Sequence, residues 1–368
     1  MKIFIAGDYC CQTPDKISIT GQLVDDIKQC DIRILNYEAP IEGGYSNIGL
    51  KSGPRLMQSV GTVEWLKKYG FNLIATANNH LMDYGMDAYE KTRASLKDFD
   101  LVGSGTWEEA YRMHIIENKG VKIGFLNLCE LQFGVLHDSW TQSKEDIGCA
   151  WINHPMVDNL IKECKHKVDF LIAITHAGLE MADLPLPEWR DRYRQMIDLG
   201  CDAIIGGHTH TIQGYEVYND KPIFYSLGNF CFVSKSAFHT NDWFIGSTVI
   251  LEITNNQITF NYKGIELKDN QISYMDETVW KDKLTHLNNG LSEDYIEKVN
   301  EICAKKLPGY WELSAMGGLT YKKHKVFKGL LRWILHQYNE IHFLNNLQCE
   351  THRWCFARAI RNLVKRGQ

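Results

Sequence analysis

The sequence contains no hydrophobic run long enough to cross a membrane as a helix. Its first apolar segment, Ile3–Ala6, is too short for the core of a secretory signal peptide, and no cleavage site follows it. We therefore expect a cytoplasmic protein that is not anchored by a transmembrane helix.

The cysteine spacing of a disulfide-rich protein is also missing. None of the 11 cysteines forms a C-x-x-C motif, and their number is odd. Most lie in apolar surroundings, such as Cys129 after Leu128 and Cys231 between two phenylalanines. This pattern excludes a disulfide framework and predicts buried, reduced thiols, as in a cytosolic protein.

The sequence has no excess of positive charge, since 40 Lys and Arg stand against 45 Asp and Glu for a formal net charge of -5. This balance excludes a generally basic nucleic-acid-binding protein, so no nucleic-acid partner is expected. The charge is uneven, however, because residues 321–368 hold ten Lys and Arg but two Asp and Glu. With 44% hydrophobic residues, the chain can build a large core.

Short apolar segments such as Lys2–Ala6 predict buried strands, and they alternate with helical patterns such as Met86–Phe99 and Pro187–Leu199. Possible metal ligands follow five of the predicted strands: Asp8, Glu38, Asn79 with His80, His176, and His208 with His210. Because α/β folds bind ligands at the carboxyl ends of their strands, we expect these side chains to share one site.

The mixture of carboxylate, amide and imidazole groups at these strand ends indicates the kind of metal. It suits Mn, Fe or Zn, whereas Ca²⁺ and Mg²⁺ prefer oxygen ligands alone. The set is larger than one tetrahedral ion needs. It therefore predicts two divalent transition metal ions bridged by one carboxylate, a site that can generate hydroxide and stabilise an oxyanion.

Six motifs occur in the order found in one family: Gly7-Asp8, Asn36–Pro40, Ala77–Gly85, His176-x-Gly178-x-Glu180, Gly207–His210 and Tyr225–Phe230. Together they resemble the CapA family of capsule and poly-γ-glutamate biosynthesis proteins, which is similar to calcineurin-like metallophosphoesterases. The resemblance covers about residues 1–267. It implies an α/β fold, a four-layer αββα sandwich over residues 1–268. After about Lys268 the strand signal fades, and the remaining sequence predicts a helical, basic C-terminal extension over residues 269–368.

The resemblance also implies a role for each residue of the metal site. Asp8 and His210 would bind one ion, Glu38 would bridge both ions, and Asn79, His176 and His208 would bind the second. His80 would act beside the leaving group, as general acid or as oxyanion stabiliser. For Glu180, it implies a role around the metal ligands or in substrate binding.

Two residues near these motifs have alternative interpretations. Asp83 could orient His80 through a hydrogen bond, or it could cap the helix that is predicted to begin near Met86. Cys10 stands where the wider phosphoesterase pattern has a histidine. It is either a buried, inert thiol, which the usual burial of cysteine favours, or a thiolate ligand of the first metal.

The implied function is a dinuclear metal-dependent hydrolase of the phosphoesterase type in capsule, polysaccharide or poly-γ-glutamate biosynthesis. Its substrate would be an anionic polymer or a phosphoester. The alternative is a non-catalytic, metal-stabilised assembly or polymer-binding component of a capsule or poly-γ-glutamate synthase complex. His80 favours the enzyme and Cys10 favours the alternative. Attack on an amide carbonyl is a third option, because metal-bound hydroxide can attack carbon as well.

The basic C-terminal segment predicts amphipathic helices with two clusters of Lys and Arg: Lys322, Lys323, Lys325, Lys328 and Arg332, then Arg353, Arg358, Arg361, Lys365 and Arg366. One interpretation is that their apolar faces pack on the domain and leave solvated charges outside. The other is peripheral contact with anionic lipid at the inner face of the membrane.

Overall fold

The structure is a computed structural model that describes residues 1–45, 51–118, 120–138, 142–234, 241–254, 257–292, 294–315 and 340–366. The strands are β1 Lys2–Cys11, β2 Ser18–Ile19, β3 Ile32–Tyr37, β4 Leu73–Ala75, β5 Asp100–Val102, β6 Ser104–Thr106, β7 His114–Asn118, β8 Val121–Cys129, β9 Val135–Leu136, β10 Ile147–Ala150, β11 Phe170–His176, β12 Ala203–Gly207, β13 Tyr215–Tyr218, β14 Lys221–Phe224, β15 Asn229–Val233, β16 Ile245–Thr254, β17 Gln257–Lys268 and β18 Gln271–Tyr274. The helices are α1 Gln22–Gln29, α2 Thr62–Tyr69, α3 Gly85–Ser95, α4 Trp107–Ala110, α5 Val157–Lys165, α6 Pro187–Leu199, α7 Glu277–Gly290, α8 Tyr295–Ala315, α9 Glu340–Gln348 and α10 Glu350–Arg366.

Two large mixed sheets form the centre of the described chain. The first has the order β2-β18-β17-β16-β1-β3-β4-β5, with β15 also paired to β1. The second has the order β13-β14-β12-β11-β8-β7, and its four inner strands are parallel. A third, small sheet has the order β6-β10-β9. Parallel inner strands place their carboxyl ends at a common edge, which is the edge that carries the site residues.

Three apolar cores separate the layers. The core between the sheets joins Ile5 and Ile34 of the first sheet to Ile172 of the second. On the outer face of the first sheet, Leu23 of α1 and Trp65 of α2 are buried in a second core. On the outer face of the second sheet, α5 and α6 bury a third core. The order helix, sheet, sheet, helix confirms the predicted αββα architecture.

Strand β1 is longer than predicted, since it continues past Ala6 to Cys11 and so contains Asp8. Its register shifts between Ile5 and Asp8 against β3, and between Asp8 and Tyr9 against β15. Such irregularities re-aim a side chain within a strand, so Asp8 reaches the strand-end site without ending the strand. Position 7 requires glycine, because a Cβ atom there would lie 1.9 Å from the carbonyl oxygen of Gly228.

Helix α6 has the predicted bounds, Pro187–Leu199, whereas α3 ends at Ser95 rather than at Phe99. Leu96 leaves the helical conformation there, with φ of −91° and ψ of 12°. All eleven cysteines are buried and free, as predicted.

The C-terminal helices pack on the second sheet's outer core, where Val299 and Cys303 of α8 meet Cys355 and Ala359 of α10. Before them, β18 pairs with β17 and with β2 in the first sheet. The division of the chain after residue 268 stays a prediction. No helix among the described residues is both long and apolar enough to span a membrane.

The first basic cluster, from Lys322 to Arg332, lies outside the described residues. In the second cluster, Arg358 forms an ion pair with Glu188 at 2.8 Å, and α10 buries Cys355 and Ala359. This cluster therefore belongs to a helix whose apolar face packs on the domain.

Candidate metal centre

The expected ligands come from strands of both sheets, either at the strand ends or, in one case, within the strand. Asp8 lies within β1, Glu38 follows β3, and His176 is the last residue of β11. Asn79 and His80 follow β4, and His208 and His210 follow β12. Because the carboxyl ends of these strands meet at one edge, residues as far apart in the chain as Asp8 and His210 become neighbours.

Six of these side chains lie together, and two overlapping groups of three could each hold a metal ion. Asp8, Glu38 and His210 form one group, and Glu38, His176 and His208 form the other. In each group the ligand atoms lie within 4.8 Å of one another, and every member is buried. Asn79 Oδ1 lies 3.0 Å from His176 Nε2, which places it beside the second group. Glu38 is the residue that both groups share.

Asp8 is fixed by two donors. Its Oδ1 accepts from Asn36 Nδ2 at 2.8 Å, and its Oδ2 accepts from the backbone N–H of His208 at 2.9 Å. Burial alone raises the pKa of Asp8, but hydrogen bonding with His176 and the charge of His176 and His210 lower it to about 2. Asp8 is therefore an ionised carboxylate at neutral pH. His208 has a φ of 83°, a left-handed conformation that aims its N–H at Asp8.

Glu38 presents a buried oxygen without a hydrogen-bond partner in the described part of the chain. This atom, Oε1, lies 3.7 Å from His176 Nε2 and 3.8 Å from His210 Nε2. Burial and the neighbouring Asp8 raise the pKa of Glu38 well above its usual value. An unpaired buried carboxylate oxygen is costly unless a cation neutralises it. The donor set therefore fits a divalent metal.

The three histidines are held with one ring nitrogen turned toward Glu38 or toward each other. His208 Nδ1 lies 3.0 Å from His176 Nε2. His210 Nδ1 lies 2.9 Å from Asn229 Oδ1, so that Asn229 holds its ring from behind. Burial lowers the pKa of His176 to about 4. The His176 imidazole is therefore neutral at pH 7, as metal binding requires.

His80 lies at the edge of the metal-binding groups, with its Nε2 4.0 Å from Glu38 Oε1. Its other nitrogen, Nδ1, lies 2.7 Å from Asp83 Oδ2, so the hydrogen bond considered for Asp83 is present. Asp83 does not cap the following helix, because Tyr84 is the N-cap and Asp83 instead accepts from the backbone N–H of Leu56 at 2.7 Å. Burial lowers the pKa of His80.

Lys51 is a buried cation beside His80 that the sequence analysis missed. Its Nζ donates to the carbonyl oxygen of Asn79 at 3.0 Å, lies 2.8 Å from His80 Nδ1, and forms an ion pair with Asp83. It lies in a loop rich in Gly, Ser and Asn, where no periodicity or motif singles it out. Burial raises the pKa of Asp83, but the charges and hydrogen bonds of His80 and Lys51 lower it below its usual value.

Glu180 and Cys10 occupy different surroundings. Glu180 is exposed at the rim, and its Oε1 lies 3.9 Å from His208 Nε2. Cys10 is buried in an apolar cluster with Ala39, Leu56, Phe232 and Trp243, and burial raises the pKa of its thiol. Cys10 is in neither of the two groups found among the described residues.

Glu130 is a second residue that the sequence analysis missed, although it has the same signal as the others. It directly follows β8, it is fully buried, and its Oε1 lies 3.0 Å from His208 Nε2. A check of every strand end for acidic residues would have found it.

Residues 2–234 match the model of a family described as "Bacterial capsule synthesis protein PGA_cap". This chain belongs to the PGA_cap family. The family model confirms the predicted capsule-synthesis family, and the four layers confirm the predicted αββα architecture of an α/β fold.

Two curated relatives of this PGA_cap chain have names that refer to biosynthesis. It is 32% identical over 179 residues to "Capsule biosynthesis protein CapA" of Bacillus anthracis, covering 46% of this chain and 42% of the relative. It is 30% identical over 201 residues to "PGA biosynthesis protein CapA" of Bacillus subtilis (strain 168), covering 54% and 52%. The chain thus spans about half the length of the curated relatives that it matches.

Two solved structures align with this PGA_cap chain at lower sequence identity than the curated relatives do. A hypothetical protein from Thermus thermophilus aligns with a TM-score of 0.45 and 12% identity, covering 72% of this chain and 99% of that one. The 5'-nucleotidase from Candida albicans aligns with a TM-score of 0.40 and 10% identity, covering 78% and 56%. Both TM-scores are below 0.5, so the architecture described above rests on the sheets and cores of this chain itself.

Proposed function

We propose that this chain is a dinuclear metal-dependent hydrolase of the phosphoesterase type that acts in capsule, polysaccharide or poly-γ-glutamate biosynthesis. The observation that carries the proposal is the buried Oε1 of Glu38, which has no partner among the described residues and belongs to both ligand groups. A carboxylate in this position suits a bridge between two divalent ions. Mn, Fe or Zn fit the mixed oxygen and nitrogen donors.

The residues assigned to the first ion are Asp8, Glu38 and His210, and those assigned to the second are Glu38, Asn79, His176 and His208. Bound there, the ions would supply hydroxide at neutral pH and positive charge for an oxyanion. Asp8 is held ionised and oriented by Asn36 and by the N–H of His208. The chain thus contributes fixed ligands and a dry environment, because all these side chains are buried.

His80 is proposed to hold or donate the proton at the leaving group. Its Nδ1 is tied to Asp83, so its Nε2 is the nitrogen that faces Glu38 and the metal-binding groups. Lys51 anchors Asp83 and the backbone of Asn79, and so fixes the ring of His80 relative to a metal ligand. Glu180 is proposed to contact the substrate, because its side chain is exposed and its Oε1 lies 3.9 Å from His208 Nε2.

The substrate is proposed to be a phosphoester or an anionic polymer. The names of the relatives refer to capsule and PGA biosynthesis, and a cationic metal pair suits an anionic group. A screen of phosphomonoesters and phosphodiesters with added Mn²⁺ tests this proposal. We expect metal-dependent turnover of at least one ester, and a chain that binds metal but turns over none of them would contradict it.

One observation favours a second function, a metal-stabilised assembly or polymer-binding component without turnover of its own. Cys10, at the position of the usual histidine, lies in an apolar cluster and not in the ligand groups. The first ion would then have fewer ligands. Tight binding of poly-γ-glutamate with metal-dependent stability but no hydrolysis would favour this function over the enzyme.

We also propose a cytoplasmic location with peripheral contact at the inner face of the membrane through the basic C-terminal segment. Free, buried cysteines agree with a reducing compartment. The contact would depend on the cluster from Lys322 to Arg332, since the second cluster lies on a helix that already packs on the domain. Each basic residue near anionic lipid contributes about 1 kcal/mol, weakened by salt.

A further inference from the structure

Glu130 contacts the metal-binding groups from behind, through His208. Its Oε1 lies 3.0 Å from His208 Nε2 and accepts from Gln132 Nε2 at 2.8 Å. On its other side, Oε2 accepts from the hydroxyl of Thr351, the second residue of α10. Both oxygens are thus engaged by donors, and the carboxylate is fully buried.

Thr351 is in turn fixed by the domain. Its Oγ1 accepts from the indole N–H of Trp189 at 2.7 Å, so its own hydroxyl proton is free to point at Glu130. The neighbouring Glu350 accepts from the backbone N–H of Leu131 at 2.8 Å and from Asn153 Nδ2 at 3.0 Å. The first turn of α10 is therefore docked against the segment that carries Glu130.

This arrangement determines which nitrogen of His208 is free. A carboxylate whose two oxygens both accept hydrogen bonds can engage His208 Nε2 only if that nitrogen carries the proton. The remaining nitrogen, Nδ1, then presents its lone pair toward His176 Nε2, 3.0 Å away. A carboxylate behind a metal-binding histidine fixes its tautomer and orientation and raises its basicity.

We propose that Glu130 and Thr351 are positioning residues for His208, so that the C-terminal helix, which lies beyond the part matched by the family model, completes the metal centre. This inference rests on the proposed function, because it assumes that His208 binds a metal ion. The link joins residues 221 positions apart and makes metal affinity depend on the hydroxyl group that α10 contributes to Glu130.

The test is a Zn²⁺ and Mn²⁺ titration of the full chain, freed of metal, for the wild type and for Glu130→Gln, Thr351→Val and Thr351→Ser. Glu130→Gln should weaken metal binding by about 10–100-fold, the usual effect of removing a residue behind a ligand. Thr351→Val should weaken metal binding less than Glu130→Gln does. Thr351→Ser, which keeps the hydroxyl, should bind metal as the wild type does. The ring ¹⁵N shifts of His208 in the Zn²⁺-loaded wild type should show a protonated Nε2.

Glu350→Gln is the matched control, since it weakens the contacts of Glu350 with Leu131 and Asn153 and leaves the hydrogen bonds of Glu130 in place. It should lower the Tm and leave the metal Kd unchanged. The inference is overturned if Glu130→Gln binds metal as the wild type does, or if Thr351→Val affects the Kd no more than Glu350→Gln. A wild type that binds no metal would instead contradict the proposed function. Should Glu130→Gln fail to fold, the comparison of Thr351→Val with Thr351→Ser decides.

Discussion

Nδ1 of His208 lies 3.0 Å from Nε2 of His176, although His176 ends β11 and His208 follows β12, a different strand of the second sheet. Two buried imidazoles at this separation need a shared proton or a shared ion. Burial lowers the pKa of His176 to about 4, so its imidazole is neutral at pH 7 and can present a lone pair to a metal ion. Glu38 completes the same group and would supply negative charge to a bound cation.

Replacement of Glu38 should have opposite effects on stability with and without metal. In the metal-free protein, Glu38→Gln removes a buried carboxylate with an unpartnered oxygen beside Asp8, so it should raise the free energy of unfolding by about 1–3 kcal/mol. With Mn²⁺ or Zn²⁺ present it should lower the Tm, because a ligand of both groups is lost. Thermal unfolding in chelator and in excess metal measures both effects.

The control for this experiment is Glu252→Gln, on the half-exposed side chain of β16, which should change neither value. A Glu38→Gln variant that is less stable than the wild type in chelator would show that Glu38 is satisfied without metal.

His80→Ala should separate chemistry from metal binding. The side chain contacts Asp83 and Lys51 but belongs to neither metal-binding group of the described chain. As a general acid its loss should lower kcat by about 10²–10⁴-fold, with metal content near normal. His166→Ala, at an exposed position after α5, is the matched control and should keep full activity. Loss of metal from His80→Ala would place His80 among the ligands.

Acid should destabilise the metal-free protein through His176. Its pKa is lowered by burial from about 6.5 to about 4 in the folded state. Between these values the unfolded chain binds a proton that the folded chain does not, so the free energy of unfolding should fall as the pH falls from about 6.5 to about 4. Urea unfolding in chelator at several pH values measures this slope. His176→Asn should flatten it, and an equal slope in both proteins would contradict the assignment.

The sequence predicted the strand ends well because apolar runs and the residues after them are local features. The end of β1 was not predicted, because the strand continues past Asp8. The register shifts near Asp8 depend on pairing with β3 and β15, which no local pattern shows. Lys51 and Thr351 could not be predicted, because their partners His80 and Glu130 lie 29 and 221 positions away and no local pattern links them. Long-range contacts of this kind are set by how the layers and the C-terminal helix pack.

Membrane contact should depend on charge in the first basic cluster. The full chain should co-sediment with anionic liposomes at low salt but not with neutral ones or at high salt. Substitution of Lys322, Lys323, Lys325 and Lys328 by Gln should abolish this binding and leave the metal content unchanged. Substitution is preferable to truncation because α10 supplies Cys355 and Ala359 to the core. A wild type that ignores anionic liposomes at low salt would exclude the contact.

Metal stoichiometry decides whether Glu38 bridges a dinuclear site. Elemental analysis of the purified chain, loaded with Mn²⁺ or Zn²⁺ and freed of excess metal, should give about two ions per chain, as two groups that share one bridging carboxylate require. Glu38→Ala and His208→Ala should each bind fewer. A wild type with no bound metal, or variants that keep the full wild-type content, would contradict the account.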